Sequence, residues 1–133
     1  MSVVKKATPA AIAVLRQATA LKPNRNKASD GLLPSAAHIS QSPNSDHNTG
    51  LAVDLTHDSA NGVDCKDIYT RLQDDIRVKY LIFKGKIWSK EKGENTYKGS
   101  NQHNKHLHIS IKTEYAKDDS NWFSWMGVPP KKK

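Results

Sequence analysis

The sequence predicts a small α+β domain with an antiparallel sheet and flanking helices. Three observations predict this class: a capped apolar-periodic segment near the N-terminus, short stretches of alternating apolar and polar residues, and a tight hairpin with glycine in its turn. The predicted element order is helix, loop, strand, helix, hairpin, strand, which is typical of α+β domains. A chain of 133 residues is expected to form one domain over 1–133, because two independent cores would not fit.

Two helices are predicted from their caps and apolar spacing. Thr8 and Pro9 favour the N-cap and the first helical position, and the helix is expected to run to Leu21, just before Pro23. Asp64 is the candidate cap of a second helix. The apolar residues expected to share a face are Ile12, Leu15, Ala18 and Leu21 in the first helix, and Ile68, Leu72 and Ile76 in the second.

Strands are predicted where the hydrophobic period is two. In 51–55, Leu51, Val53 and Leu55 point to one face and Asp54 to the other. The ranges 80–83 and 86–88 flank Lys84-Gly85 and predict a hairpin. A last strand is expected over 106–112, whereas 24–50 and 90–105 are polar and are predicted to be loops. The ends, 1–7 and 127–133, are expected to be flexible.

Composition limits the classes of partner. A net charge of +8 and a pI near 9.6 favour polyanions, namely nucleic acid, anionic lipid or the phosphate-rich polymers of a bacterial wall. A single cysteine, Cys65, allows neither an internal disulfide nor a cysteine-based zinc cluster. No apolar region follows Lys5 and Lys6, and no stretch approaches about 20 apolar residues. We therefore expect synthesis in the cytoplasm without a signal peptide, and no membrane span.

Histidines cluster on the last predicted strand. Residues two apart on a strand share a face, so His106 and His108 project together. The alternate residues Leu107 and Ile109 are apolar and are expected to face the core. His103 precedes this strand and is expected to reach the same side from the loop. Three histidines within six residues favour a functional site over a solvated strand face.

A second segment supplies complementary chemistry. Asp54 lies on the non-core face of its strand, and His47 lies seven residues earlier, across a turn at Gly50 where glycine permits a sharp bend. These two side chains, together with an imidazole from the last strand, offer two nitrogens and one carboxylate. That donor set suits Zn²⁺ with one open position, as in catalytic zinc sites.

These residues also resemble a known family. The pattern Ser45-x-His47-x-x-Gly50-x-Ala52-x-Asp54, followed by His106-x-His108, resembles the D-alanyl-D-alanine carboxypeptidase-type zinc peptidases of the lysostaphin, D-Ala-D-Ala metallopeptidase and hedgehog-domain group. The likeness is to short phage endolysin-type members and runs from about Ser29 to Ile111. It implies a hedgehog-like or DD-peptidase-like fold and a zinc-dependent hydrolase that acts on peptidoglycan.

The resemblance also implies residue roles. The zinc ligands would be His47, Asp54 and His108, and Ser45 would brace the loop or orient the substrate. Many members carry an acidic general base three residues before the last ligand. Lys105 occupies that position here, so proton transfer is assigned to His103 or His106. For Trp88 two interpretations stand: contact with substrate beside the cleft, or packing.

The expected function is hydrolysis of an amide bond in the stem peptide or cross-link of the cell wall, by a monomeric phage lysis enzyme that acts at the wall after release. The basic surface is expected to attract anionic wall polymers, and no nucleic acid is expected. One alternative is a non-catalytic, zinc-containing wall-binding module, which Lys105 favours. The other is a His-Asn-His-type metal nuclease, suggested by Asp46-His47-Asn48 and the charge. Such nucleases usually take their last ligand from a helix, whereas here the last histidines lie on a predicted strand.

Overall fold

The computed structural model describes residues 8–32, 51–97 and 105–126, and this part of the chain forms an α+β domain, as predicted. Its helices and strands are α1 (Pro9–Leu21), β1 (Ala52–Thr56), α2 (Cys65–Arg71), β2 (Val78–Phe83), β3 (Lys86–Ser89), β4 (Gly93–Thr96) and β5 (His106–Ile111). Within the described residues, no helix combines the length and the apolar character needed to cross a bilayer. The predicted flexible ends, 1–7 and 127–133, lie outside the described residues.

The strands form one antiparallel sheet in the order β1-β5-β2-β3-β4. The last strand in sequence is thus inserted between the first two. This topology brings residues more than fifty positions apart in sequence into direct cross-strand contact. The candidate site depends on this arrangement.

Helix α1 begins and ends as predicted, and Ala18 of the predicted apolar face is buried, but Ile12 is not. Oγ1 of Thr8 accepts a hydrogen bond from the backbone N–H of Ala11 at 3.4 Å, and proline occupies the first turn. Ile12, expected to share the face of Ala18, is 42% exposed, whereas Ala10 and Val14 are fully buried. The helix packs on β1. Small side chains on the buried face permit that close approach, which explains the difference.

Helix α2 has the predicted cap but is shorter than predicted. The Asp64 carboxylate accepts from the backbone N–H groups of Lys66 and Asp67. The helix ends at Arg71 and continues as a 3₁₀ turn, Leu72–Asp74. The prediction for Ile76 was therefore wrong: it lies beyond both elements and is 65% exposed.

The hairpin is confirmed, and it carries one further strand. Lys84 and Gly85 both have positive φ (47° and 77°), and Phe83 pairs with Lys86, as in a two-residue type I′ turn. The range 90–105 was predicted to be a loop, yet Gly93–Thr96 pairs with β3. This polar segment forms a strand at the edge of the sheet, where its side chains remain largely exposed.

The core lies on one face of the sheet, beneath both helices. Its largest fully buried side chains are Trp122, Phe123, Leu55, Ile68, Leu72, Leu81, Leu107, Ile109 and Ile111. Burial of Leu107, Ile109 and Ile111 confirms the predicted orientation of the last strand. Trp122 and Phe123 are buried as well, so the C-terminal aromatic segment packs back on the domain. Polar residues of β1 and β5 are left to the opposite face.

Candidate metal and catalytic site

The site is built around a pair of side chains on β1 and β5. Asp54 and His108 are direct cross-strand partners, and Oδ1 of Asp54 lies 3.2 Å from Nδ1 of His108. Both residues were predicted zinc ligands. Cross-strand partners point to the same face of a sheet, so the antiparallel register alone brings the carboxylate and the imidazole together.

The His108 ring is held on two further sides. Its Nε2 lies 2.8 Å from Oγ of Ser110, and the Tyr80 ring stacks on it with centroids 5.4 Å apart and an interplanar angle of 13°. Ser110 is fully buried and His108 is 4% exposed. A buried imidazole with hydrogen-bond partners at both nitrogens has its orientation fixed.

Sequence reasoning assigned no role to Ser110 or Tyr80. Ser110 lies two residues after His108, so the period-two alternation of the strand was a usable signal for it. For Tyr80 there was no such signal, because its approach to the ring depends on the pairing of β2 with β5.

His106 lies on the same face as His108, as predicted. Its Nε2 is 3.6 Å from Oδ2 of Asp54, a separation longer than a hydrogen bond but within ion-pair range. The His106 side chain is 14% exposed. The two oxygens of Asp54 therefore face two different imidazoles, Oδ1 toward His108 and Oδ2 toward His106. Lys105, next to this group in sequence, is exposed.

Other predicted site residues are placed elsewhere or lie outside the described residues. His47 and Ser45 belong to 33–50, and His103 belongs to 98–104. Both ranges lie outside the described residues. Trp88 pairs with Leu81 and packs against the core, on the opposite face of the sheet from His108. The structure thus favours packing, the second of the two interpretations of Trp88.

The donor set fits zinc as far as it is described. Two donor atoms on one tetrahedral zinc ion lie about 3.4 Å apart, given metal–ligand distances of about 2.1 Å. The Asp54–His108 separation of 3.2 Å is close to this value. A hydrogen bond from Nε2–H to Ser110 would leave the Nδ1 lone pair directed at the Asp54 side, the tautomer that a metal ligand requires. Across 8–32, 51–97 and 105–126 no group of three metal-binding side chains is found; the third predicted ligand, His47, is outside these ranges.

A cavity of about 480 Å³ lies away from this site, next to the turn that follows α2. Its lining includes Ile76, Trp122 and Trp125. Two charged groups in its wall are already paired, since Arg71 binds Asp67 and Asp75 binds Arg77. The cavity lacks a convergent set of groups suited to hydrolysis. The candidate site is therefore the Asp54–His108 pair and not this cavity.

Comparison with known protein families gives a match. A family model described as VldE, C-terminal domain, matches residues 4–108. The matched range includes Asp54, His106 and His108. No curated protein and no solved structure matches the chain significantly.

Proposed function

The chain belongs to the VldE C-terminal domain family, and we propose that it is a zinc-dependent peptidase that hydrolyses an amide bond in the stem peptide or cross-link of peptidoglycan. The observation that carries the proposal is the Asp54–His108 pair, with 3.2 Å between Oδ1 and Nδ1. The resemblance of the Ser45-to-Asp54 pattern and of His106-x-His108 to zinc peptidases of the cell wall supplies the substrate class.

Three residues would hold the metal: His47, Asp54 and His108. When bound, zinc would act as a Lewis acid that polarises the scissile carbonyl. It would also lower the pKa of a bound water molecule toward neutrality. Ser110 holds the His108 ring through its contact with Nε2, and Tyr80 holds it by stacking on the ring. They reduce the reorganisation needed when the ligands close on the ion.

His106 is the proposed acid–base residue. Its imidazole takes a proton from the attacking water and returns it to the amine as the C–N bond breaks, so the residue ends the cycle unchanged. In support of this role, Oδ2 of Asp54 lies 3.6 Å from Nε2, within ion-pair range of a protonated ring. Replacement of a general base typically costs ~10²–10⁴-fold in rate. His103 is the other candidate for this role.

One alternative is a zinc module that binds the wall without cutting it. His106→Ala separates the two, because His106 is not a proposed ligand. For an enzyme, the variant keeps the zinc stoichiometry of the wild type and loses turnover. A wild type that binds purified walls and zinc but releases no fragments would establish the module instead.

The position of the histidines also bears on the nuclease alternative. His106 and His108 lie on β5, which is paired on both sides within the sheet. A ββα nuclease takes its last ligand from a helix, so this placement supports the peptidase. Plasmid nicking by the same preparation, with zinc present, is the direct check.

The principal test combines metal analysis with mass spectrometry of fragments released from purified peptidoglycan. The wild type is expected to bind one zinc per chain, to lose activity on chelation and to regain it with zinc. Asp54→Asn should lose both zinc and activity. Asp67→Asn, at an exposed carboxylate on α2, should lose neither. A wild type without stoichiometric zinc, or fragment release by Asp54→Asn, would reject the proposal.

A further inference from the structure

The outer edge of β1 is paired with a short upstream segment at the level of the candidate site. The backbone N–H of Gly31 donates to the carbonyl of Asp54 at 3.1 Å, and the N–H of Asp54 donates to the carbonyl of Gly31 at 2.8 Å. These bonds make Gly31 the antiparallel partner of Asp54, on the side away from His108. Asp54 is thus held between Gly31 and His108 in one row across the sheet.

Space at position 31 is limited by the Asp54 carboxylate itself. A Cβ built on Gly31 would lie 3.3 Å from Oδ2, 3.7 Å from Cβ and 3.9 Å from Cγ of Asp54. The first distance is tighter than an ordinary van der Waals contact. The φ of Gly31 lies outside the left-handed region, so the backbone itself would accept alanine. Glycine is therefore required at position 31 because a side chain there would be too close to Oδ2 of Asp54.

The segment that carries Gly31 is anchored, so it cannot easily move aside. The Arg25 guanidinium donates to both carboxylate oxygens of Asp30, at 3.0 and 2.7 Å, and its side chain is 1% exposed. Oδ1 of Asp30 also accepts from the backbone N–H and the hydroxyl of Thr56, at 3.1 and 2.7 Å. Thr56 is two residues from Asp54 on β1. An added methyl group at 31 would therefore displace the Asp54 carboxylate rather than its own backbone.

We infer that Gly31 is a positioning residue for Asp54: the absence of a side chain at 31 lets the carboxylate direct Oδ1 at Nδ1 of His108. In its consequence for metal binding, this inference rests on the proposed function. If Asp54 is a ligand, residue 31 sets the affinity for zinc without touching the ion.

The test is Gly31→Ala, with Gly93→Ala as the matched control. Titration of the metal-free proteins with zinc chloride gives the affinity, and thermal unfolding gives the stability. Gly31→Ala is expected to bind zinc about tenfold more weakly, as for other groups that orient ligands, with a Tm close to that of the wild type. Gly93 has φ +67° and nothing within 4 Å of an added Cβ. Gly93→Ala should therefore lower Tm through backbone strain and leave zinc affinity unchanged. Wild-type affinity in Gly31→Ala would overturn the inference.

A second measurement separates this inference from the proposed function. NMR signals of the His108 ring in the metal-free proteins report on its contact with Asp54. They are expected to shift in Gly31→Ala and to stay in place in Gly93→Ala. If the wild type binds no zinc, the proposed function fails, and these signals alone decide the inference. Unmoved ring signals in Gly31→Ala would then reject it.

Discussion

Nε2 of His108 lies 2.8 Å from Oγ of Ser110, two residues further along the same strand, and both side chains are buried. Residues i and i+2 of a strand share a face, so this contact is local in origin. It is nevertheless buried by tertiary packing. A hydrogen bond in such surroundings is costly to break, because water cannot replace the lost partner.

Ser110→Ala is expected to lower both stability and metal affinity. The substitution removes the partner of Nε2, which costs about 1–3 kcal/mol of unfolding free energy. It also allows the His108 ring to rotate, which should weaken zinc binding by about 10–100-fold. Urea unfolding and zinc titration measure the two effects. Ser59→Ala, at an exposed serine of a 3₁₀ turn, is the control and should change neither. Unaltered stability in Ser110→Ala would show that this contact is dispensable.

Asp30→Ala is expected to be strongly destabilising. It leaves the buried Arg25 guanidinium without its carboxylate, and removal of one partner of a buried ion pair costs about 3–5 kcal/mol. Asp67→Ala provides the comparison, because the Asp67–Arg71 pair is exposed on both sides (47% and 49%) and such helical pairs contribute about 0.3–0.5 kcal/mol. Chemical denaturation of both variants gives the two values. Equal losses would contradict the prediction.

Cys65 is expected to resist alkylation in the folded protein. Burial raises the pKa of its thiol to about 12, and Sγ lies 3.4 Å from the carbonyl oxygen of Leu55, to which it donates. Very little of such a thiol is ionised at pH 8, and the thiolate is the reactive form. Iodoacetamide labelling followed by mass spectrometry should show modification only after unfolding in guanidinium chloride. Rapid labelling of the native protein at pH 8 would show that the thiol is accessible.

The contribution of Asp58 to stability is expected to depend on pH. A hydrogen bond from the Asn61 side chain, and then one from the backbone N–H of Asn26, hold the pKa of Asp58 below its ordinary value of 3.8. A carboxyl group with a lowered folded-state pKa stabilises the fold above its unfolded-state pKa, and this contribution is lost as the pH falls through the folded-state value. Asp58→Ala should therefore melt below the wild type at pH 7, and the difference should narrow below about pH 4. A constant difference in Tm at pH 7 and at pH 2.5 would argue against the assignment.

Elements fixed by neighbours in sequence were predictable. The Thr8 and Asp64 caps, the Lys84-Gly85 turn and the alternation of β5 each depend on a few adjacent residues, and the structure has all of them. Predictions failed where contacts between segments distant in sequence decide which residues are buried. Ile12 was grouped with the apolar face of α1 by its spacing, but the close approach of α1 to β1 favours smaller side chains on the buried face.

In the candidate site, too, local features were predictable and long-range contacts were not. The residue types and spacings at Asp54, His106 and His108 indicated metal chemistry, because strand periodicity alone places both imidazoles on the face away from the core. The contacts made by Tyr80 and Gly31 had no comparable signal. Each depends on a strand pairing that joins segments far apart in sequence, β2 with β5 in one case and 31 with β1 in the other.

The sequence by itself determined the fold class, the caps and turns, and which side chains are the candidates for metal binding and catalysis. Only the tertiary structure decided that β5 lies between β1 and β2, and hence that Asp54 meets His108 with 3.2 Å between Oδ1 and Nδ1. The physical reason is that caps, turns and periodicity are local properties of the backbone. Strand order and register, in contrast, are set by the packing of the whole domain.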